Sequence, residues 1–272
     1  MFKVEKSIDI GRNVDIQFAN GKVSLMGTAL NVYSYCVDGV LIDTGSASLD
    51  KEFQSFFKDI HFEQVMLTHH HEDHTGGAAW IQKDYNVPLF IHEDSVDICA
   101  KKGKYPLYRQ AVWGKRAPFQ ATAFGQTFQS RNATWDVIAT PGHTTDHLAF
   151  YNREIGTMFS GDLYVQSKTK LVLQEENIVE TMHSLRKVLT YDFEEVCCCH
   201  SGYLPDGRGK LTEKLAYLEN LEGEVKHLHT KGLSPKEITK TLFPRQYPIS
   251  KFSQGEWDAS HMIKAFLAQN SS

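Results

Sequence analysis

The segment Leu67–Gly77 reads LTHHHEDHTGG, and residues 69–74 of it hold four histidines and two acids. Crowded imidazoles repel one another when protonated. Neutral imidazole is a metal ligand, so the crowding becomes tolerable where protons have been exchanged for an ion. The spacing fits that chemistry. At an extended strand end, residues i and i+2 face the same way. His69 and His71 therefore share a side and can grip one ion, whereas His70 points away and is expected to be replaceable. Asp73 and His74 fall where the chain turns towards a helix, within reach of a second ion beside the first.

Three later segments repeat the pattern of a short apolar strand running into a ligand-type residue. Trp135–Ala139 leads to Thr140-Pro141-Gly142-His143, Thr157–Phe159 to Ser160-Gly161-Asp162, and Glu195–Cys199 to His200. Strands of one sheet that end on the same edge bring such loops together, gathering five histidines and two aspartates. Imidazole and carboxylate suit zinc, and also manganese or iron. The set is too large for one ion but fits two, with a carboxylate bridging them. Two metals about 3.5–4 Å apart hold a hydroxide between them and clamp a substrate oxygen. An isolated histidine is more often structural, but chance is a poor account of His-x-His-x-Asp-His after an apolar strand with three downstream matches.

These motifs, His69-x-His71-x-Asp73-His74, Pro141-Gly142-His143-Thr144, Ser160-Gly161-Asp162 and Cys199-His200-Ser201-Gly202, resemble in type and order the series of the metallo-β-lactamase-fold hydrolases. Leu41-Ile42-Asp43-Thr44-Gly45 resembles that superfamily's motif before the first helix, and the resemblance covers about residues 20–205. It implies a four-layer αββα fold, a β-sandwich flanked by helices. It also implies two zinc ions (with manganese or iron as substitutes), one held by His69, His71 and His143 and one by Asp73, His74 and His200. Asp162 would bridge them, and Asp43 would orient a ligand imidazole through its other ring nitrogen. Many members carry Pro-Gly before the last histidine, where this chain has Cys198-Cys199. Those cysteines are either plain strand residues or additional soft ligands.

The elements that must position these residues are legible in part. Val14–Phe18, Val23–Met26, Asn31–Val37 and Val40–Ile42 read as short strands, with Asn20-Gly21 and Asp38-Gly39 as hairpin turns. A helix is expected from Leu49 to Phe57, a strand at Gln64–Leu67, a helix opening at Thr75-Gly76-Gly77, and a strand at Pro88–His92. Leu148–Tyr151 pairs with Thr157–Phe159, and Glu176–Leu189 is helical. The rhythm is α/β after an initial β meander. Residues 101–128, rich in Lys, Arg and aromatics, read as an insertion of loop and short helix. Residues 1–210 are expected to form the catalytic domain and 211–272 a helical extension packed on it. Leu211–Lys231 is amphipathic, and Ser234-Pro235-Lys236-Glu237 and Ser253-Gln254-Gly255-Glu256 read as capping boxes, the second opening a helix to about Ala268.

Composition narrows the function. At 272 residues the chain can bury a sizeable core, and 41% apolar with 23% charged residues is ordinary for a soluble globular protein. A net charge of −4 argues against a binder that coats nucleic acid electrostatically. No apolar run approaches the roughly 20 residues of a membrane span, and MFKVEKSIDI lacks the apolar core of a secretory signal. Five cysteines, three of them adjacent, are no disulfide framework and point to the reducing cytoplasm.

The leading expectation is a dinuclear zinc hydrolase in which a metal-bound hydroxide attacks the carbonyl of a carboxylic ester, either a thioester as in glyoxalase II-like members or a lactone. Two divalent ions outweigh two aspartates and one hydroxide, so a small anionic or polar acyl substrate is favoured. Asp73 would orient the hydroxide and handle its proton, and Tyr164 would donate to the oxyanion. His147, four past His143, either supports a metal ligand from behind or is structural, and the structural reading is favoured; no Gly-x-Ser-x-Gly elbow or P-loop is present. Lys101–Arg116, with six Lys/Arg among Tyr105, Tyr108 and Trp113, would suit an acidic acyl group or a single RNA strand if it lies beside the site. The alternatives are therefore a single-strand ribonuclease of the same superfamily and a mononuclear iron persulfide dioxygenase. A di-iron reductase fits less well, since His71 is present and a flavin domain is not.

Overall fold

A computed structural model describes residues 5–25 and 28–269. Its first sheet takes β1 (Glu5–Asn13), β2 (Ile16–Leu25), β3 (Thr28–Val37), β4 (Val40–Ile42), β5 (Gln64–Met66), β6 (Leu89–Ile91) and β7 (Thr122–Ala123) in sequential order. Pairing is antiparallel from β1 to β4 and parallel from β4 to β7. Three short strands begin the second half: β8 (Thr127–Gln129), β9 (Thr134–Ala139) and β10 (Leu148–Asn152). After them come β11 (Thr157–Gly161), β12 (Val172–Leu173), β13 (Glu195–Cys198) and β14 (Gly202–Leu204). The second sheet runs β14-β13-β11-β10-β9-β8, and β12 pairs instead with β15 (Trp257–Asp258).

Strand alternation sorts the side chains into three interlayer cores. Ile42, Met66, Trp135, Phe150, Phe159 and Cys197 pack between the two sheets. Leu41, Val65, Leu67 and Ile91 face outward from the first sheet, against α1 (Asp50–Asp59), α2 (Ala78–Tyr85), α3 (Glu93–Cys99) and α4 (Leu107–Trp113). Met158, Val196 and Cys198 face outward from the second sheet, against α5 (Ile178–Val188), α6 (Gly207–Thr230), α7 (Pro235–Leu242) and, past the short α8 (Pro248–Phe252), α9 (Ser260–Ala268). Neighbours in sequence thus serve opposite cores, the period of a pleated strand. The result is the expected αββα sandwich.

The meander differs from expectation. Asn20-Gly21 is not a turn but lies inside β2, and the chain instead turns at Val14-Asp15, where Val14 takes a positive φ of 50°. Gly21 lets the helix layer approach closely: a Cβ there would lie 2.7 Å from the side-chain ends of both Leu49 and Phe53, which would have to shift. Asp38-Gly39 does form a tight turn, with φ of 50° and 79°. Met26, placed in a strand on sequence grounds, lies outside the described residues.

The Ser234–Glu237 capping box forms, Ser234 N donating to Glu237 Oε2 at 2.9 Å. The Ser253–Glu256 box does not. Ser253 ends α8, Gln254 and Gly255 take positive φ, and Ser253 Oγ accepts from Trp257 N at 3.0 Å to shape the entry to β15. The last helix starts at Ser260, whose N donates to Asp258 Oδ1 at 2.8 Å. No helix among the described residues is long and apolar enough to cross a membrane. All five cysteines are buried and unpaired.

Candidate active site

Because β4 runs parallel to β5 and β11 parallel to β13, their C-terminal ends open on the same edge of the sandwich. Asp43, the His69–His74 segment, Asp162 and His200 follow those ends, and His143 follows β9. Backbone hydrogen bonds lock the loops together. Thr44 N donates to His74 O at 2.7 Å, Leu148 N to Thr68 O at 2.8 Å, and Tyr33 N to Cys199 O at 2.7 Å. Tyr35 OH adds a bond to Cys198 O at 2.7 Å.

Among the described residues the donor atoms form four overlapping sets, each within 4.8 Å. His69, His71 and His143 make one group and Asp73, His74 and His200 a second; His69, His74 and Asp162 link the two, and Asp43, His74 and Cys199 lie behind the second. His143 Nε2 is 3.0 Å from His71 Nδ1, and Asp73 Oδ2 is 3.6 Å from His200 Nε2. Asp162 lies between the groups, with Oδ2 3.3 Å from His143 Nε2 and 3.1 Å from His200 Nε2, and Oδ1 3.4 Å from His74 Nε2. Among the described residues, His69 Nε2, His74 Nε2 and Asp162 Oδ1 are buried with no hydrogen-bond partner. Orphaned buried donors and acceptors are costly, and three of them converging from both groups fit a pair of cations.

Each histidine is fixed from behind through its other nitrogen. Thr68 Oγ1 lies 3.1 Å from His69 Nδ1, Glu175 Oε1 3.1 Å from His71 Nε2, and Asp43 Oδ2 2.8 Å from His74 Nδ1. Glu176 Oε2 is 3.5 Å from His143 Nδ1, and Asn31 O is 2.5 Å from His200 Nδ1. Such contacts set ring orientation and ligand basicity. Asp43 also accepts from Thr68 N at 2.8 Å and from Cys199 Sγ at 3.0 Å. Cys199 thus lies against Asp43, while Cys197 belongs to the core between the sheets and Cys198 to the outer core.

Burial, reinforced by neighbouring imidazoles, holds His69 and His71 well below the ordinary histidine range, so both imidazoles are neutral, the form a metal ion needs. Burial also opposes protonation of His74, His143 and His200, but carboxylates outweigh it: chiefly Asp162 at His74 and His200, and Glu176 at His143. A cation at any of those three positions would have to displace a proton.

Several residues fall outside the sequence expectations. Tyr164 is not brought to the donors: its ring lies in the outer core of the second sheet and its OH is 3.1 Å from Ser167 Oγ. His70 does point away from the donors, but it has a partner of its own. Its Nδ1 is 2.9 Å from Asp146 Oδ1, and Asp146 also accepts from Ser95 Oγ at 2.6 Å.

His147, fully buried, accepts from Asp162 N through Nε2 at 2.9 Å, so its proton sits on Nδ1, 2.7 Å from Thr140 Oγ1. Burial pushes its pKa down to about 4, which keeps the accepting nitrogen free. Gly161, at φ 49°, leaves room for that ring, since a Cβ would lie 2.5 Å from His147 Nε2. Glu72 faces away from the donors and accepts two bonds from Arg109 at 2.7 and 2.8 Å. Lys214, buried on α6, donates to Leu163 O at 2.7 Å and Tyr164 O at 2.6 Å, bracing the loop after Asp162. Of these residues, only His147, four past His143, stood at a suggestive spacing. Glu175, Glu176, Arg109 and Lys214 carry no local signal.

The sequence profile described as the Metallo-beta-lactamase superfamily matches residues 27–200. A Drosophila melanogaster protein named beta-lactamase-like protein 2 homolog is 25% identical over 257 residues, covering 89% of this chain and 82% of the fly protein. An atrochrysone carboxyl ACP thioesterase of Aspergillus fumigatus is 29% identical over 209 residues, covering 75% of this chain; this chain spans 56% of that protein's length. A metallo-beta-lactamase family protein of Thermus thermophilus superposes with a TM-score of 0.68 over 95% of both chains at 18% identity, which is a likeness of fold.

Proposed function

The chain belongs to the metallo-beta-lactamase superfamily of metal-dependent hydrolases, and on that footing we propose that it cleaves a carboxylic ester, foremost an acyl thioester, at a site built for two divalent ions. The observation that carries this reading is the position of Asp162 between two donor groups, each with one buried nitrogen, His69 Nε2 and His74 Nε2, that has no hydrogen-bond partner. When bound, a pair of divalent ions supplies Lewis acidity at neutral pH, both for a nucleophilic water and for a polarised carbonyl. His69, His71 and His143 would hold one ion and Asp73, His74 and His200 the other, with Asp162, placed between the two groups, available to both. Asp73 orients the attacking water and accepts its proton. Asp43, Thr68, Glu175, Glu176 and the Asn31 carbonyl keep the imidazoles aimed and thereby fix the reacting geometry in advance. The thioester preference is supported by the fungal thioesterase relative. The buried free thiols support a reducing, cytoplasmic location.

Metal analysis with a panel of thioesters and lactones tests the reading. About two zinc or zinc-like ions per chain are expected, and Asp162→Ala should lose the second ion together with thioester cleavage. A single iron with no hydrolysis, or full activity in Asp162→Ala, refutes it.

A further inference from the structure

Beside His71 a cavity of about 410 Å³ opens between the histidine loop and the 101–116 segment. Its lining carries both signs of charge. The Arg109 guanidinium meets three carboxylates: Glu72 at 2.7 Å, Glu256 at 3.5 Å and Glu175 at 3.6 Å. Lys101, Lys102 and Lys104, all exposed, also line the wall, and no ion-pair partner is found for any of them among the described residues. Arg116, buried behind them, spends its guanidinium on neutral acceptors: Cys99 O at 3.0 Å, Ile98 O at 3.1 Å and Lys101 O at 3.1 Å. Its charge is therefore not met by an ion pair either, and Asp97 joins Glu72, Glu175 and Glu256 among the acids of the lining.

The loop that carries the lysines is braced. Tyr105 OH donates to Gly114 O at 2.8 Å and accepts from Arg116 N at 2.7 Å, and Gln110 Nε2 donates to Tyr105 O at 2.8 Å. A fixed backbone beneath the lysines lowers the ordering cost of binding. Unpaired cations on a concave wall concentrate positive potential, and compact ammonium groups suit phosphate or carboxylate oxygens.

We propose that this cavity binds an anionic group, a phosphate or a carboxylate, at the three lysines. It meets His71 on the Nε2 side, beside Glu175, His70 and Glu72, so the bound group lies behind the donor atoms and not among them. Binding there does not depend on the hydrolase reading.

Direct binding to the full chain tests the subsite independently of activity. Coenzyme A serves as the phosphate-bearing probe, glutathione as the carboxylate-bearing probe, and a short oligouridylate as the competitor class. Coenzyme A or glutathione should bind, whichever does naming the anion. Affinity should fall with salt and drop by about tenfold or more in Lys101→Ala/Lys102→Ala/Lys104→Ala. The same charge change in Lys231→Ala/Lys236→Ala/Lys240→Ala should leave it intact. The subsite is overturned if neither probe binds, if binding survives the first triple variant, or if only the oligouridylate responds to it. Failure of the wild type to cleave any thioester would sink the hydrolase reading and leave the binding result decisive for the subsite.

Discussion

Asp43 Oδ2 and His74 Nδ1 lie 2.8 Å apart, with both side chains sealed from solvent. The carboxylate is fully engaged, accepting also from Thr68 and Cys199, and it aims His74 Nε2 at Asp73 and Asp162. Asp43→Asn keeps the shape but removes the charge that fixes the imidazole tautomer. Metal affinity should fall by about 10–100-fold, read by competition with a chromogenic chelator. Unchanged affinity would mean that the backbone alone positions His74.

Arg109 and Glu72 form a bidentate pair that is only 11% and 2% exposed. Removing one member leaves an uncompensated buried charge, so Arg109→Ala should cost about 3–5 kcal/mol in urea unfolding. Arg109→Met/Glu72→Gln should recover most of that loss. Equal losses in the single and double variants would show that packing, not charge, is at stake.

Lys214 is buried, and burial pulls its pKa from 10.5 down to about 8. Between those two values the unfolded chain holds a proton that the folded chain has released, so folding stability should rise as pH increases from about 8 to about 10.5. Lys214→Met should lack that rise, the difference being on the order of 3 kcal/mol. Urea midpoints of both proteins across this window check it; parallel curves would show that Lys214 keeps an ordinary proton affinity.

Tyr164→Phe tests the corrected assignment. An oxyanion donor would cost about 10²–10³ in kcat when removed. The hydroxyl faces Ser167 instead, so kcat should change by less than about twofold while thermal stability falls slightly. A large drop in kcat with stability intact would return Tyr164 to the reaction.

Much of the fold was legible because strand alternation and turn chemistry are local. Val40–Ile42 and Asp38-Gly39 stand where they were expected. Gly21 misled because glycine signals a turn and a close helix approach equally well. Ser253 misled because a serine followed three residues later by glutamate marks a helix start only if the intervening backbone is helical, and Gln254 and Gly255 are not.

The sequence by itself determined the donor types and their alternation: His69 and His71 to one side, His70 to the other, and a ligand-type residue after each of three later strands. Tertiary structure decided what stands behind each donor. Glu175 reaches His71 across 104 residues, Asp43 reaches His74 across 31, and Lys214 braces Leu163 across 51. The reason is physical. A residue's face is set by the period of its own strand, whereas its partner is set by how two sheets and their helices pack, and no local pattern records that distance.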